Sequence, residues 1–183
     1  MSASSQPVAS RVHTALEYTT IDSPIGELLL LGDDRSLHGL YMQDGRKSTR
    51  VARTWRRAPR RFSRVVAQLG EYFAGRRTNF ELPLSMHGSP FELAVWRALQ
   101  DIPYGGTVSY GEIARRIGRP SAARAVGLAN GRNPISVIVP CHRVIGANGA
   151  LTGYGGGLER KRLLLELERG QTCLLPSRAV EDR

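Results

Sequence analysis

The amino-acid sequence predicts an α+β protein, with a small antiparallel-sheet domain first and a mainly helical domain after it. Short apolar segments separated by turn residues fill the region from Tyr18 to Met42, as expected for strands joined by tight turns. Beyond Ser89 the pattern changes to longer amphipathic segments that begin with helix-capping residues. The chain has 183 residues, which suits one compact domain or two small domains that share an interface.

The domain boundaries follow from where these patterns stop. The first residues lack the basic start and apolar stretch of a secretory signal, so we expect a flexible polar leader. Leu82 to Gly88 is predicted to link the two domains, and the apolar pattern ends after Gly170. The predicted segments are the leader 1–15, the N-terminal domain 16–84, the C-terminal domain 85–170 and a loose tail 171–183.

Lysine and arginine total 26 against 16 acidic residues, which gives a formal net charge of +10. Such an excess attracts polyanions, with nucleic acid as the leading candidate, although a merely basic surface would give the same count. Nine of these cations lie between Arg46 and Arg64 with no acid among them, at helical spacing that Pro59 interrupts. We interpret this stretch as a solvated face, with direct DNA contact as the lesser alternative. No apolar run approaches the ~20 residues that a membrane span needs.

The cysteines and histidines do not form a metal-binding or disulfide pattern. Cys141 and Cys173 lie in different contexts, and the four histidines lack the paired spacing of a metal motif. We therefore predict no metal, no cofactor and a reducing, cytoplasmic environment. Cys173, in the predicted tail, has no assigned role.

In the N-terminal domain, Pro24-Ile25-Gly26 is a predicted turn between two apolar segments. Leu28 to Leu31 and Leu37 to Met42 are predicted strands, and a small antiparallel sheet is the simplest arrangement for them. From Arg64 to Ala74 the apolar residues recur at helical spacing, which predicts an amphipathic helix that ends at Gly75.

In the C-terminal domain, Ser89-Pro90-Phe91-Glu92 is a capping box that starts a helix. Ser109-Tyr110-Gly111-Glu112 is a second capping box, and its helix ends at Gly118. Ser121 is predicted to cap a third helix, from Ala122 to about Ala129. The second and third helices, joined by a turn that contains glycine, predict a helix-turn-helix.

The remainder of this domain is predicted to be a turn, a loop and a last helix. Asn148-Gly149 is a turn signal, and Gly153 to Gly157 is rich enough in glycine to form a flexible loop. A final helix is predicted from Glu159 to Arg169. Its inward residues are expected to be Leu163, Leu164 and Leu167.

The β-branched run from Ile135 to Val139 is predicted to be a buried strand that ends in Pro140 and Cys141. A cysteine is nucleophilic only as the thiolate, so it needs a nearby base or cation, and His142 and Arg143 follow it directly. A lone cysteine is more often a small buried apolar residue. These residues alone therefore leave open an enzyme with a cysteine nucleophile, a Cys-His hydrolase and a helix-turn-helix regulator.

A set of motifs between Ile102 and Glu168 has a characteristic order and spacing. They are Ile102-Pro103-Tyr104-Gly105, Ser109-Tyr110-Gly111-Glu112-Ile113-Ala114, Ala122-Ala123-Arg124-Ala125-Val126-Gly127, Asn133-Pro134, Ile138-Val139-Pro140-Cys141-His142-Arg143-Val144-Ile145 and Gly153-Tyr154-Gly155-Gly156-Gly157. On these motifs the chain resembles the O6-alkylguanine-DNA alkyltransferases (methylated-DNA–protein-cysteine methyltransferases). The likeness implies a ribonuclease H-like N-terminal domain, and it is weaker there, through Thr20 to Gly26 and Tyr72 to Gly75.

The resemblance implies that Cys141 accepts the alkyl group of O6-alkylguanine, with O4-alkylthymine left open as a second substrate. In the family, the residue at His142 is the base, acting through a water, and the one at Glu168 orients it. The residue at Asn133 holds the turn that positions the cysteine. Tyr110 would protonate or hydrogen-bond the leaving guanine, and general-acid help of this kind is worth roughly a hundredfold or more in rate. The thioether product has no easy leaving step, so each molecule would act once.

The family turns the target nucleotide out of the duplex, because its reactive atom lies inside the base stack. Its helix-turn-helix enters the minor groove, and Arg124 is the residue implied to fill the vacated place. The other implied DNA-binding residues are Ser121, Ala123, Ala125, Asn130 and Arg132. The residues implied to line the pocket for the flipped base are Tyr110, Val139, Pro140, Gly153, Tyr154 and Gly155.

The chain departs from some members of the family. Several bind a structural zinc through N-terminal cysteines, but this sequence has no cysteine before Cys141, so we predict no such zinc. Alkyltransferase-like proteins replace the nucleophile, and the presence of Cys141 disfavours that class. A binding-only damage sensor or a helix-turn-helix regulator remains the alternative function. We expect a monomer that binds double-stranded DNA in a bacterial-type cytoplasm, at the nucleoid, and no membrane. Cooperative binding to DNA is left open.

Overall fold

The computed structural model describes residues 15–43 and 48–170. The predicted leader apart from residue 15, the predicted tail with Cys173, and Arg46 and Lys47 of the basic stretch lie outside the described residues. Within these ranges the fold has the predicted α+β arrangement, with a small N-terminal sheet domain and a mainly helical C-terminal domain. No helix in the described part of the chain is long and apolar enough to cross a membrane.

Three antiparallel strands form most of the N-terminal sheet, as the apolar segments predicted. β1 is Glu17–Ile21, β2 is Leu28–Gly32 and β3 is Leu37–Met42. Every residue of β2 is buried, because this strand lies between β1 and β3. The predicted turn is present: the Gly26 N–H donates to the Ser23 carbonyl at 3.0 Å, and Gly26 has a φ of 95° that favours glycine.

The described part of the basic stretch forms a short strand and a 3-10 turn. β4, Arg56–Arg57, pairs in parallel with β1 and completes the sheet order β3-β2-β1-β4. A 3-10 helix follows at Pro59–Phe62. The carboxylate of Glu17 is buried and accepts hydrogen bonds from Arg56 and from Arg61 Nε, the latter at 2.8 Å. A buried acid therefore anchors this segment to the sheet, which the sequence pattern did not predict.

The amphipathic helix predicted from Arg64 to Ala74 is present as α1, Ser63–Phe73. It ends where predicted: the Gly75 N–H donates to the Tyr72 carbonyl at 2.9 Å, and Gly75 has a φ of 68°. Its apolar face joins the sheet in one continuous core. The buried residues of that face are Val65, Leu69, Tyr72 and Phe73.

The segment predicted as a linker is paired with the outer edge of β3. The Leu37 N–H donates to the Pro83 carbonyl at 2.9 Å. Farther along the same edge, the Leu40 N–H donates to the Pro134 carbonyl at 2.9 Å. The N-terminal sheet therefore contacts the C-terminal domain through backbone hydrogen bonds, close to the turn that precedes Cys141.

The described helices of the C-terminal domain are α2 Pro90–Gln100, α3 Tyr110–Arg116, α4 Ala123–Gly131 and α5 Leu158–Glu168. The first predicted capping box is complete. Ser89 Oγ accepts from the Glu92 N–H at 3.3 Å, and Glu92 Oε2 accepts from the Ser89 N–H at 2.9 Å. α3 and α4 pack against each other as the predicted helix-turn-helix.

Two predicted helix starts differ from the structure. Ser109 Oγ accepts from the Glu112 N–H at 3.1 Å, but the Glu112 carboxylate binds two arginines of the next turn, so only half of the second capping box forms. Ser121 does not cap α4. The Ala122 N–H closes a turn on the Arg119 carbonyl at 2.9 Å, and Ala122 itself precedes the helix without a side-chain cap.

The predicted strand from Ile135 to Val139 is wrong. This segment is a tight turn, in which the Val139 N–H donates to the Ile135 carbonyl at 2.9 Å and Val137 adopts a φ of 71°. A buried β-branched run satisfies the strand pattern whether or not it is extended, because the pattern reports burial alone. The strands near the site are instead β5, Val108–Ser109, and β6, Val144–Ile145, which pair in parallel.

α5 lies one residue earlier in the chain than predicted, and its buried face is partly different. Leu164 and Leu167 are buried as predicted, but Leu165 is buried where Leu163 was expected, and Leu163 is only half-buried. The face also includes two charged residues, Lys161 and Glu168, which are 0% and 5% exposed. Buried charges need partners, and both have them in the site described below.

Candidate active site and DNA-binding face

Asn133 sets the shape of the turn that precedes Cys141. Its Nδ2 donates to the Val139 carbonyl at 2.8 Å, and its Oδ1 accepts from the Ile135 N–H at 3.0 Å. These two bonds join the ends of the turn around Val137, whose positive φ is costly for a β-branched residue. The chain then forms a 3-10 turn, Cys141–Arg143.

Asn130, which was predicted to contact DNA, takes part in the support of the cysteine. It lies near the end of α4, is 3% exposed and donates from Nδ2 to the Cys141 carbonyl at 3.2 Å. This bond ties the end of α4 to the turn that holds Cys141. The DNA contact of Asn130 stays a prediction, and in this conformation its side chain is directed to the interior of the protein.

The Cys141 side chain is 4% exposed. Burial raises the pKa of its thiol, and contacts from Asn133 and Ser136 and the charge of Lys161 oppose that rise only in part. Cys141 therefore stays protonated near neutral pH until a base removes its proton.

His142 is fully buried, and its Nε2 lies 2.8 Å from Glu168 Oε1. Burial alone would raise the pKa of Glu168, but bonds from His142 and Arg143 hold it well below its ordinary value. An ionised carboxylate only accepts, so Nε2 must bear the hydrogen and Nδ1 must be the free lone pair. Burial also lowers the pKa of His142. His142 is thus a neutral imidazole with Nδ1 as its basic atom, and Nδ1 has no hydrogen-bond partner within the described ranges.

Glu168 is surrounded by donors from three parts of the chain. Arg143 donates to it through Nε at 2.8 Å and Nη2 at 2.9 Å, and the Gly105 N–H donates at 3.1 Å. The Tyr72 hydroxyl of α1 donates to Oε1 at 2.7 Å. Arg143 also donates to the Ile102 carbonyl at 2.6 Å. The carboxylate that orients His142 is therefore held rigidly, as an ion pair inside the core must be.

Lys161 is the charged residue that the sequence interpretation missed. Its Nζ donates to the Val144 carbonyl, which follows the Cys141–Arg143 turn, and to the Thr152 carbonyl, both at 2.6 Å. Burial lowers the pKa of Lys161 to about 8, and the nearby Cys141 acts in the opposite direction. The spacing of Lys161, Leu164 and Glu168 on one helical face was available in the sequence as a signal for it.

Cys141 faces a cavity of about 280 Å³ at the boundary of the two domains. Gly155 is the one predicted pocket residue that lines it. Val139 and Pro140 are buried and are not among its lining residues, and the Tyr154 hydroxyl is buried with no partner among the described residues. The lining residues from the C-terminal domain are Asn130, Gly131, Arg132, Asn133, Ser136, Cys141, Gly155 and Gly156, and those from the N-terminal domain are Tyr41, Met42 and Thr49.

Tyr110 and Gly153 line a second, open groove of about 790 Å³ on the helix-turn-helix face. The Tyr110 hydroxyl donates to the Thr152 carbonyl at 3.0 Å, and burial raises its pKa, so it is a neutral donor. Arg124 lies in this groove with an exposed side chain beside Leu128, which is 62% exposed. An exposed leucine and arginine on one helix face suit contact with another molecule.

The other predicted DNA-binding residues lie around α4. Ser121 and Ala125 are exposed, and Ala123 is half-buried at the wall of the groove. Arg132 is exposed but donates to Glu92 Oε1 at 3.1 Å. No group of three metal-binding side chains is present in the ranges that the structure describes.

An open helix-turn-helix face beside a cavity that Cys141 lines indicates a DNA-binding protein with a cysteine at its site. Residues 16–86 match the sequence model of the 6-O-methylguanine DNA methyltransferase ribonuclease-like domain, and residues 90–170 match that of its DNA binding domain. The chain belongs to the 6-O-methylguanine DNA methyltransferase family.

Its relatives are similar over nearly their whole length. The methylated-DNA–protein-cysteine methyltransferase of Mycolicibacterium paratuberculosis is 61% identical over 84% of this chain and 93% of its own. That of Methanosarcina acetivorans is 51% identical over 82% and 97%. The crystal structure of Mycobacterium tuberculosis OGT in complex with DNA is similar at a TM-score of 0.79 and 56% identity, over 85% of this chain and 94% of that one.

Proposed function

We propose that this protein repairs alkylated DNA by direct reversal, with Cys141 as an acceptor that is consumed in one reaction. The observation that supports this most strongly is the buried His142–Glu168 pair. It leaves Nδ1 of the residue that follows Cys141 without a partner among the described residues, while Cys141 lines a cavity beside the helix-turn-helix. The relatives named above are methylated-DNA–protein-cysteine methyltransferases, which is the same chemistry.

The transfer is a displacement at the alkyl carbon of O6-alkylguanine. The thiol proton of Cys141 passes to His142 Nδ1 through a water molecule, and Sγ attacks the carbon as a thiolate. The carbon–oxygen bond breaks, and its electrons go to guanine, which takes a proton from the Tyr110 hydroxyl as it departs. His142 then releases its proton to solvent, and the Tyr110 phenolate takes up a proton from solvent. Charges and protons therefore balance without a cofactor.

The product explains why the protein would act once. An S-alkyl thioether is neutral, and a thiolate leaving group would need a nucleophile stronger than those in the site. Cys141 is also 4% exposed, which keeps bulk water away from the product. We therefore infer a stoichiometric reaction and not a catalytic cycle.

The substrate base must leave the duplex to reach the cavity. We propose that α4 binds the minor groove and that Arg124 takes the place of the flipped nucleotide, because its exposed guanidinium is planar and cationic. Ala123 and Ala125 on either side are small enough for the backbone to approach DNA closely. Ser121 and Arg132 would bind phosphates at the two ends of the helix.

The Tyr110 hydroxyl can donate to the leaving guanine only after its hydrogen bond to the Thr152 carbonyl breaks. Tyr110 and Gly153 line the groove, while Gly155 lines the cavity of Cys141. We infer that the flipped base enters from the groove along the Gly153–Gly155 backbone. Val139, Pro140 and Tyr154 would support the pocket from behind its wall.

We further propose that the protein acts as a monomer on double-stranded DNA in the cytoplasm. The compact N-terminal domain, 16–84, would support the site, and the C-terminal domain, 85–170, would bind DNA and react. The interface between them contributes residues to the cavity of Cys141, so both are needed for the complete site.

The test is incubation with duplex DNA that contains O6-methylguanine labelled in its methyl group. We expect transfer of one label per protein to Cys141 and then no further reaction. Cys141→Ser should abolish transfer and retain DNA binding, and Cys173→Ser is the matched control that should behave as the wild type. Intact DNA binding without transfer in the wild type would instead support a binding-only sensor or regulator, and repeated turnover would support a hydrolase.

The flipping role of Arg124 has its own test. Arg124→Ala should slow repair of the duplex far more than reaction with free O6-methylguanine, because the free base needs no extrusion. Arg97→Ala, on α2 and exposed, is a matched control for the loss of one positive charge. An equal loss on both substrates would contradict the proposed role.

A further inference from the structure

Tyr72 reaches from the N-terminal domain into the hydrogen-bond network of the reactive site. It lies on α1, is 0% exposed and donates from its hydroxyl to Glu168 Oε1 at 2.7 Å, across 96 residues of sequence. Its ring packs on Phe80 and Tyr104, with centroid distances of 5.3 and 6.1 Å. The ring is thus fixed, and its only polar atom points at the carboxylate.

The oxygen that Tyr72 contacts is the one that orients the base. Glu168 Oε1 accepts from Tyr72 at 2.7 Å, from His142 Nε2 at 2.8 Å and from Arg143 Nη2 at 2.9 Å. The other oxygen accepts from Arg143 Nε and from the Gly105 N–H. Within the described ranges, Tyr72 is the one donor to this carboxylate that comes from the N-terminal domain.

We propose that Tyr72 is a positioning residue for alkyl transfer, whose hydroxyl holds Glu168 in the orientation that presents His142 Nδ1 to the proton of Cys141. The N-terminal domain then takes part in the reaction through one hydrogen bond, in addition to its packing. This inference rests on the proposed function, because it assigns Tyr72 to the same proton transfer.

The hydroxyl acts on charge as well as on orientation. Burial raises the pKa of Tyr72 well above its ordinary value, so it remains a donor at every working pH. A donor on Oε1 withdraws part of the negative charge that would otherwise stabilise protonated His142. Without the hydroxyl, Oε1 keeps two donors and His142 becomes easier to protonate. The titratable and charged groups around His142 lie on several elements. They are Glu168 and Lys161 on α5, Cys141 and Arg143 on the 3-10 turn, Tyr72 on α1, and Tyr104 and Tyr154 on loops.

The experiment compares Tyr72→Phe with Tyr18→Phe in the full chain. Tyr18 lies on β1 of the same domain and packs on Trp55, so it controls for the loss of a phenol hydroxyl. We measure single-turnover methyl transfer from duplex DNA between pH 5 and 8. For Tyr72→Phe we expect the maximal rate constant to fall about tenfold, the lower end of the loss caused by removing a hydrogen-bond partner that orients a metal ligand. We also expect its acid limb to move to higher pH, with the half-saturating concentration unchanged.

A role confined to stability would give a different result. It would lower the melting temperature of Tyr72→Phe and leave the rate and the acid limb of the folded protein as in the wild type, and that outcome overturns the inference. If Tyr72→Phe does not fold, 3-fluorotyrosine placed at position 72 provides the second test. Its hydroxyl is a stronger donor in nearly the same shape, so the acid limb should move to lower pH, and an unmoved limb would overturn the inference. Failure of the wild type to transfer the methyl group would instead refute the proposed function itself.

Discussion

Replacing Asn133 with alanine should destabilise the turn from Ile135 to Val139, which precedes the reactive Cys141, without changing Cys141 itself. The substitution removes two hydrogen bonds, from Asn133 Nδ2 to the Val139 carbonyl and from the Ile135 N–H to Asn133 Oδ1. The Val139 carbonyl still accepts from the Cys141 N–H at 2.8 Å. The Ile135 N–H has no other acceptor within the described residues, and Ile135 is 0% exposed.

The size of the effect follows from that difference. A buried donor left without an acceptor costs about 1–3 kcal/mol, and removal of one bond from a carbonyl that keeps another donor costs about 0.5–1.5 kcal/mol. We therefore expect Asn133→Ala to lower the free energy of unfolding by about 2–4 kcal/mol. For a chain of this size that lowers the melting temperature by roughly 5–15 °C. Val137 would also be free to leave its positive φ, so the thiol should move away from His142.

Urea unfolding and single-turnover methyl transfer, both at 20 °C, measure the two consequences. Asn133→Asp is a matched variant: it keeps an acceptor for Ile135 but places negative charge next to the Val139 carbonyl and the developing thiolate of Cys141. It should therefore lose as much transfer as Asn133→Ala or more. If Asn133→Ala unfolds and reacts as the wild type does, then the bonds of Asn133 do not set the conformation of this turn.

Three further predictions concern charge. Lys161→Met keeps the length of the side chain but removes the bonds to Val144 and Thr152, so single-turnover transfer should slow and the pKa of Cys141, followed by its alkylation with iodoacetamide, should rise. The pKa values of Glu168 and His142 are both lowered in the folded protein, so in acid the unfolded chain binds more protons than the folded one. The free energy of unfolding should therefore fall as the pH falls, below about 6.5 for His142 and below about 4.5 for Glu168. Urea midpoints between pH 7 and 4 test this, and an unchanged midpoint would contradict it. On the interpretation of the basic stretch as a solvated face, Arg57→Gln together with Arg60→Gln should leave the slope of log K for DNA against log salt unchanged, whereas direct binding to phosphates would reduce the slope by about 1 for each arginine replaced.

The elements that sequence reasoning predicted well are those where local pattern and burial agree. The strands Leu28–Gly32 and Leu37–Met42 and the helix Pro90–Gln100 have turn or capping residues at their ends, and the core is their apolar face. The segment from Ile135 to Val139 failed for a physical reason. Its conformation is set by the side chain of Asn133, which lies outside the segment, and no pattern within the segment reports that bond.

The site likewise contains residues that motifs predicted and contacts that only the packing of the fold reveals. Cys141, His142 and Glu168 were named through motifs, and the structure brings His142 and Glu168 into contact at 2.8 Å. The hydrogen bond between Tyr72 and Glu168 spans both domains and could not be inferred from spacing, because it depends on how α1 packs against α5. The hydrogen bond from Asn130 to the Cys141 carbonyl could not be inferred from spacing either, because it depends on the packing of α4.

Both edges of the N-terminal sheet are partly covered within the described residues. On one side, β3 is covered by backbone bonds to Pro83 and Pro134. On the other, β4 is only Arg56–Arg57, and it places positive charge where an approaching strand would have to pair. Short, charged or covered edges are how natural sheets avoid strand addition and aggregation. Resistance to aggregation benefits a protein whose thiol reacts once, because each molecule has to stay folded and monodisperse until it binds a damaged base.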